Sequence, residues 1–190
     1  GAIAPIINFS LGVAMDVFEA IEGRRSVRGF KPTPIGEGDI KKILEAGRLS
    51  PSAGNCQPWE FVVVKDEAVK QKLVDAAWGQ SFIGEAPVVI VVCANISRTA
   101  SRYGRRGEEL YCIQDTAAAA QNIHLAAYAL GYGTCWVGAF DEGAAARAIR
   151  APSNVRPLAI IPIGKPAEKP TPTPRLPLGN IVHENRFQRH

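Results

Sequence analysis

Residues 108–130 read EELYCIQDTAAAAQNIHLAAYAL, the longest helical stretch in the chain. Ala117 to Ala120 form an unbroken alanine run, and Ile123, Leu125, Ala126, Ala127 and Ala129 extend the apolar surface around the axis. A helix apolar nearly all round has to be buried on every side. A chain of 190 residues builds one sizeable core and one domain. The readiest cover for such a helix is a second subunit, so a homodimer is expected.

The other elements follow from periodicity and punctuation. Ala86-Pro-Val-Val-Ile-Val-Val-Cys-Ala94 has the length and composition of a buried strand, and Trp59 to Lys65 reads as another. Residues 16–22 and 37–49 are amphipathic helices, with Ile40, Ile43, Leu44 and Gly47 on one face of the second. Asp66 caps a helix through Trp78, with Val69, Leu73, Ala76 and Ala77 inward. Asp141 caps a helix through Ile149, between short strands at Thr134–Val137 and Leu158–Ile163. Ser50–Asn55 is a loop by composition, and Ser97–Gly107, carrying Arg98, Arg102, Arg105 and Arg106, reads as a second loop.

Three segments are expected. Residues 1–14, GAIAPIINFSLGVA, are apolar but lack a basic n-region. Met15 is the chain's single methionine, so they read as a non-native or upstream leader. Residues 15–164 form the globular domain. Residues 165–190 form a C-terminal arm, whose prolines between 165 and 177 impose an extended path. Leu176, Leu178, Ile181, Val182 and Phe187 favour an arm that docks on a partner. The net charge of +4 and pI near 9.0 fall short of a nucleic-acid binder and suit a few arginines committed to a small anion. No apolar run approaches the ~20 residues of a membrane span. Cys56, Cys93, Cys112 and Cys135 form no C-x-x-C pair and no metal spacing. They read as reduced thiols of a cytoplasmic protein, with Cys93 and Cys135 in the core.

Arg24-Arg-Ser-Val-Arg28 places three arginines in one turn, just after the first helix. Such clusters are most often solvated helix ends. No phosphate-binding G-x-x-x-x-G-K-[ST] loop is present, nor G-x-S-x-G or H-E-x-x-H. Gly131-Tyr-Gly-Thr-Cys-Trp136 departs from the dinucleotide fingerprint at its third glycine and precedes a strand. His124 reads as a helix-packing residue. Pro51-Ser-Ala-Gly-Asn-Cys-Gln-Pro-Trp59 offers hydroxyl and amide groups at Ser52, Asn55 and Gln57. Cations in one element and neutral donors and acceptors in another suit a phosphorylated cofactor.

In combination and in order, these segments resemble the FMN-dependent nitroreductases. The resemblance rests on RRSVR, on PSAGNCQPW, on Ala86–Val92, on Ala118-Ala-Ala-Gln-Asn122 with Leu125-Ala-Ala127, and on Gly131-Tyr-Gly-Thr-Cys-Trp-Val-Gly138. It implies an α+β, nitroreductase-like fold: a central mixed or antiparallel sheet flanked by helices, in an intertwined homodimer with an extended C-terminal arm. It implies FMN at the subunit interface. Arg24, Arg25, Ser26 and Arg28 match the residues that hold its phosphate, ribityl chain and pyrimidine edge. Ser52 and Asn55 match residues that reach the flavin from the partner chain. Val137 and Gly138 match the segment at flavin N5, Arg175 a basic residue on the phosphate, and Gln80 a neighbour of the ring. The implied activity passes electrons from NADPH or NADH through flavin N5 to small-molecule acceptors, nitroaromatic or quinone-like. No catalytic acid, nucleophile or metal ligand is required of the protein. Reductive dehalogenation, flavin fragmentation and alkene reduction are alternative chemistries on the same site, and a non-enzymatic flavin-binding dimer is the rival outside enzymes.

Overall fold

The computed structural model describes residues 15–187. The expected leader, residues 1–14, and the last three residues lie outside them. Helix α1 (Val17–Gly23) starts on a capping box: the Asp16 carboxylate accepts from the Phe18 amide at 3.2 Å, and Glu19 returns a bond to the Asp16 amide at 3.0 Å. Helix α2 (Glu37–Arg48) follows. Then come strand β1 (Trp59–Val64), helix α3 (Glu67–Ala76), the single turn α4 (Phe82–Glu85) and strand β2 (Val88–Asn95). Helix α5 (Ile96–Arg106) leads through a π-helical turn at Gly107–Tyr111 into α6 (Cys112–Ala129). Strand β3 (Gly133–Thr134), helix α7 (Glu142–Ala148) and strand β4 (Val155–Gly164) complete the domain.

The sheet is four-stranded and antiparallel, in the order β1-β2-β4-β3. Strand β2 is buried on both faces, and its side chains alternate between two cores as a strand's period of two requires. Val89, Val91 and Cys93 join Leu73 and Val74 of α3, Ile83 of α4 and Ala145 of α7. Val88, Ile90 and Val92 join Ile40 and Ile43 of α2 and Ile123 and Ala127 of α6. The fold is thus a helix–sheet–helix sandwich, and β2 reads as one apolar run because neither face meets water. Lys70 is drawn into the first core. Its ammonium donates to the carbonyls of Gly84 and Ala86, at 3.1 and 2.9 Å, and pairs with Glu67 at 2.7 Å.

Residues 97–107 are not a loop. They form most of α5, and their density of charge had suggested solvent rather than structure. Arginine, alanine and serine tolerate a helix, and the break comes only at Gly104, where φ is +53°. The helix expected through Trp78 ends at Ala76, because Trp78 and Gly79 take positive φ. The strand expected at 134–137 shrinks to Gly133–Thr134 plus an isolated bridge between Val137 and Ile160.

Within one chain, α6 is covered on the α2 side, while Ile113 and Ala129 remain exposed. Val17, Phe18 and Ile21 of α1 are 55%, 67% and 54% exposed, and Phe187 of the arm is 90% exposed. A Cβ at Gly133 would lie 2.8 Å from Cβ and Cγ2 of Val27. This close approach seats the turn after α1 against β3. Gly133→Ala is therefore expected to destabilise the fold by about 1–3 kcal/mol, as overpacking does. A lowered urea midpoint checks this; an unchanged midpoint would mean that the turn shifts freely.

Candidate functional site

Helix α1 ends at Gly23, and Arg24 after it turns to ψ 132°. The next residues cross to β3. Ser26 bridges Thr134, and the Val27 amide donates to the Thr134 carbonyl at 2.9 Å. From the other side, Lys31 donates to the Lys165 carbonyl at 2.8 Å and Ala167 to the Gly29 carbonyl at 2.9 Å. The Glu168 carboxylate then accepts from two successive amides, Arg28 at 2.5 Å and Gly29 at 3.1 Å. Consecutive amides aimed at one anion are a recurrent backbone device.

The chain thus fixes the turn through its backbone, and the Arg175 guanidinium uses one nitrogen on Thr173 and the Pro174 carbonyl. Arg24 and Arg28 have no carboxylate partner among the described residues. Arg25 spends one nitrogen on the Glu22 and Arg24 carbonyls, at 2.5 and 2.9 Å. Arg28 lies 6.0 Å from the Phe82 ring centroid. Arg175 arrives from the arm. Together Arg24, Arg25, Ser26, Arg28 and Arg175 line a cleft of about 370 Å³, with Glu168, Thr171 and Thr173. The Arg24 guanidinium is held below its ordinary value, first by burial and then by Arg175 and Arg25. Like charges gathered this way repel, and a bound anion relieves the repulsion.

The segment after β3 runs next to the arginine turn, with Cys135 beside Ser26. Val137 exchanges two backbone bonds with Ile160, at 2.9 and 3.0 Å, which buries its side chain and leaves Gly138 exposed. Gln80 braces this segment, donating to the carbonyls of Ala77 and Ala139 at 3.1 and 3.0 Å. Burial pushes the Cys135 thiol up, while Arg28, the Ser26 hydroxyl and Arg24 pull it down. His124 is buried in α6, as a packing residue. Its Nδ1 lies 2.6 Å from the Thr134 hydroxyl and its ring stacks on Trp136 at 5.7 Å. Burial, and then Arg24, lower its pKa to about 4, so the ring is neutral near pH 7.

Ser52, Asn55 and Gln57 form a separate group. The Ser52 hydroxyl accepts from the Gln57 amide at 3.0 Å, and the Ala53 amide donates to Asp115 at 3.1 Å. Gly54, Asn55 and Gln57 all take φ near +50°, a costly conformation for the last two. This loop packs on the N-terminal half of α6 through Asp115. The arginine turn packs on its C-terminal end, where Gly23 meets Tyr128. From Asp115 to Tyr128 the helix rises about 20 Å. One chain therefore brings Arg24, Arg25, Ser26, Arg28 and Arg175 together at one end of α6 and Ser52, Asn55 and Gln57 to the other, while Gln80, Val137 and Gly138 meet in the segment after β3, with Val137 in the core on the α3 side of the sheet.

Sequence reasoning missed Glu168, which lies in the proline-rich segment 140 residues from its partner Arg28, and the Trp136 stack. The residues 131–138 pattern flagged Trp136 only as a misplaced glycine.

The Nitroreductase family model matches residues 21–81 and 76–165. An NADH dehydrogenase of Thermus thermophilus is 33% identical over 88% of this chain and 95% of its own. An oxygen-insensitive NADPH nitroreductase of Salmonella typhimurium is 30% identical over 90% of this chain and 74% of its own. The solved NADPH:FMN oxidoreductase of Vibrio harveyi, complexed with NAD+, superposes with a TM-score of 0.84 at 28% identity, covering 91% of this chain and 78% of that one.

The neutral His124 links stability to pH. Between its ordinary value of 6.5 and about 4 the unfolded chain binds the proton and the folded chain does not. Stability present above pH 6.5 is lost as pH falls toward 4, at up to about 1.4 kcal/mol per unit. Urea midpoints at pH 7, 6 and 5 should fall more steeply for the parent than for His124→Gln; parallel slopes would contradict the assignment.

Proposed function

This chain belongs to the nitroreductase family, and we propose that it works as a homodimer with two composite sites. Each site joins the arginine turn of one protomer to the Ser52–Gln57 loop of its partner. The chain is an oxidoreductase that uses FMN as cofactor and NAD(P)H as reductant. Within that class we assign nitroaromatic and quinone-like compounds as its acceptors.

The separation of the two residue groups along α6 carries this reading. Both are shaped to meet a ligand, and about 20 Å of helix keeps them apart within a chain. A second copy resolves both this and the apolar surface left on α1, α6 and the arm. We assign the arm, residues 165–190, to wrap the partner, supported by the exposure of Leu176, Leu178, Ile181, Val182 and Phe187.

The residues fit FMN at its phosphate. Arg24, Arg25 and Arg175 are assigned to that dianion, which guanidinium forks match two oxygens at a time. Ser26 is assigned to the ribityl chain. Arg28, unpaired with any carboxylate among the described residues, is assigned to the pyrimidine edge, where a cation favours the reduced, anionic flavin. Ser52, Asn55 and Gln57 are assigned to the same ring from the partner. Gly138, exposed and braced through Gln80, presents backbone rather than a side chain to the reacting face. When bound, FMN supplies hydride acceptance and electron delivery at N5, chemistry that no side chain here provides. The chain's own titratable groups beside the cleft support a binding role: His124 is buried and neutral, and the Cys135 thiol is held up by burial. We place the protein in the cytoplasm, supported by four free cysteines. Among the described residues, no helix is long and apolar enough to cross a membrane.

Acid release from the purified protein should yield FMN, and anaerobic NADPH or NADH should bleach its visible spectrum. Release of FAD, or a colourless protein that FMN does not reconstitute, would overturn the reading. Arg24→Ala should weaken FMN binding by about 1.5–3 kcal/mol, the worth of a charge-assisted hydrogen bond, as measured by fluorescence titration.

A further inference from the structure

Four arginines lie on or near α5, and their partners separate them. Arg98 pairs with the Glu60 carboxylate and also donates to the Gln57 carbonyl at 3.1 Å. Arg105 pairs with Glu109 at 2.6 Å. Arg106 donates to the Tyr111 hydroxyl at 2.9 Å and lies 5.3 Å from that ring. Arg102 differs from all three. Among the described residues its one hydrogen bond goes to the backbone carbonyl of Gly54 at 2.7 Å, and its guanidinium lies 5.5 Å from the Tyr103 ring centroid.

That carbonyl sits between Ser52 and Asn55. A Cβ on Gly54 would meet the Tyr103 hydroxyl at 2.3 Å and the Arg102 guanidinium carbon at 2.7 Å, so the pair closes directly over the loop. The backbone holds them there. Gly104 turns at φ +53° immediately after Tyr103, and Gly107 then packs against the Thr99 carbonyl, where a Cβ would come within 2.5 Å. Tyr103 is braced edge-on by Tyr111 at 5.2 Å. Single π-helical turns such as 107–111 often mark functional positions.

We propose that Arg102, with Tyr103, forms an anion-recognising rim on the Ser52–Gln57 side of the composite site and reads the ribose 2′-phosphate of NADPH. The inference rests on the composite FMN site proposed above. The 2′-phosphate is the charge that separates NADPH from NADH. A guanidinium with one nitrogen on a carbonyl keeps the rest of its fork for such an anion. Tyr103 offers a flat apolar face beside it. Arg98 and Arg105 already face carboxylates, so their charge is answered locally.

The test is the NADPH-to-NADH ratio of kcat/KM in the parent, Arg102→Gln, Arg102→Lys and Arg105→Gln, each first assayed for FMN content. The ratio should exceed one in the parent and fall about tenfold or more in Arg102→Gln, the loss of one charge-assisted contact. Arg102→Lys should keep part of it, and Arg105→Gln should match the parent. Adenosine 2′,5′-bisphosphate should inhibit the parent better than 5′-AMP, and lose that advantage in Arg102→Gln. An unchanged ratio, a parent without NADPH preference, an equal shift in Arg105→Gln, or loss of FMN in Arg102→Gln would overturn the proposal. Bleaching of the parent's bound FMN by NADH alone keeps the FMN reading standing whichever of these occurs.

Discussion

The backbone pairing of Ser26 and Val27 with Thr134, completed by the Glu168 carboxylate on the amides of Arg28 and Gly29, concentrates positive charge in one place. Arginines are ordinarily held by acids. Here the one carboxylate lining the cleft among the described residues binds main chain, so no acid neutralises the guanidiniums there while the turn that carries them is fixed. Burial, and then repulsion from Arg175 and Arg25, lowers Arg24, a cost carried by the fold, and Gly133 and Val27 provide the close contact that holds the turn in place.

The sheet and α6 convert this local device into a site. Strand β2, buried on both faces, holds α2 and α6 on one side and α3 and α7 on the other. Helix α6 then acts as a spacer with an arginine turn at one end and a strained, hydroxyl- and amide-bearing loop at the other. The left-handed backbone of Asn55 and Gln57 belongs at that second end, where strain is the usual companion of ligand contact. In the proposed dimer, the part of α6 left open within one chain is covered by a second copy that joins the two ends.

Much of this was legible beforehand where local chemistry decides structure. The caps at Asp66 and Asp141, the inward faces of 37–49 and 66–78, and the buried strand at 86–94 follow from spacing alone. His124 packs, as a lone histidine on an apolar helix does. The charged segment at 97–107 misled because charge density speaks of solvent exposure, which helix α5 also has, and not of backbone conformation. Lys70, a buried cation satisfied by two carbonyls, and Glu168, bonded 140 residues away, depend on tertiary contacts that no window of sequence contains. The candidate site was legible as two motifs, and only the three-dimensional distance along α6 shows how far apart one chain holds them.

The composite site is tested most directly by subunit complementation. One chain carries Arg24→Ala and Arg28→Ala; the other carries Ser52→Ala and Asn55→Ala. Each alone should bind FMN poorly as a homodimer. After mixing and subunit exchange, heterodimers should regain FMN, because one of their two sites inherits an intact arginine turn and an intact partner loop. If the isolated heterodimer binds FMN no better than either parent, the site is not shared and the account of α6 as a spacer between two half-sites is wrong.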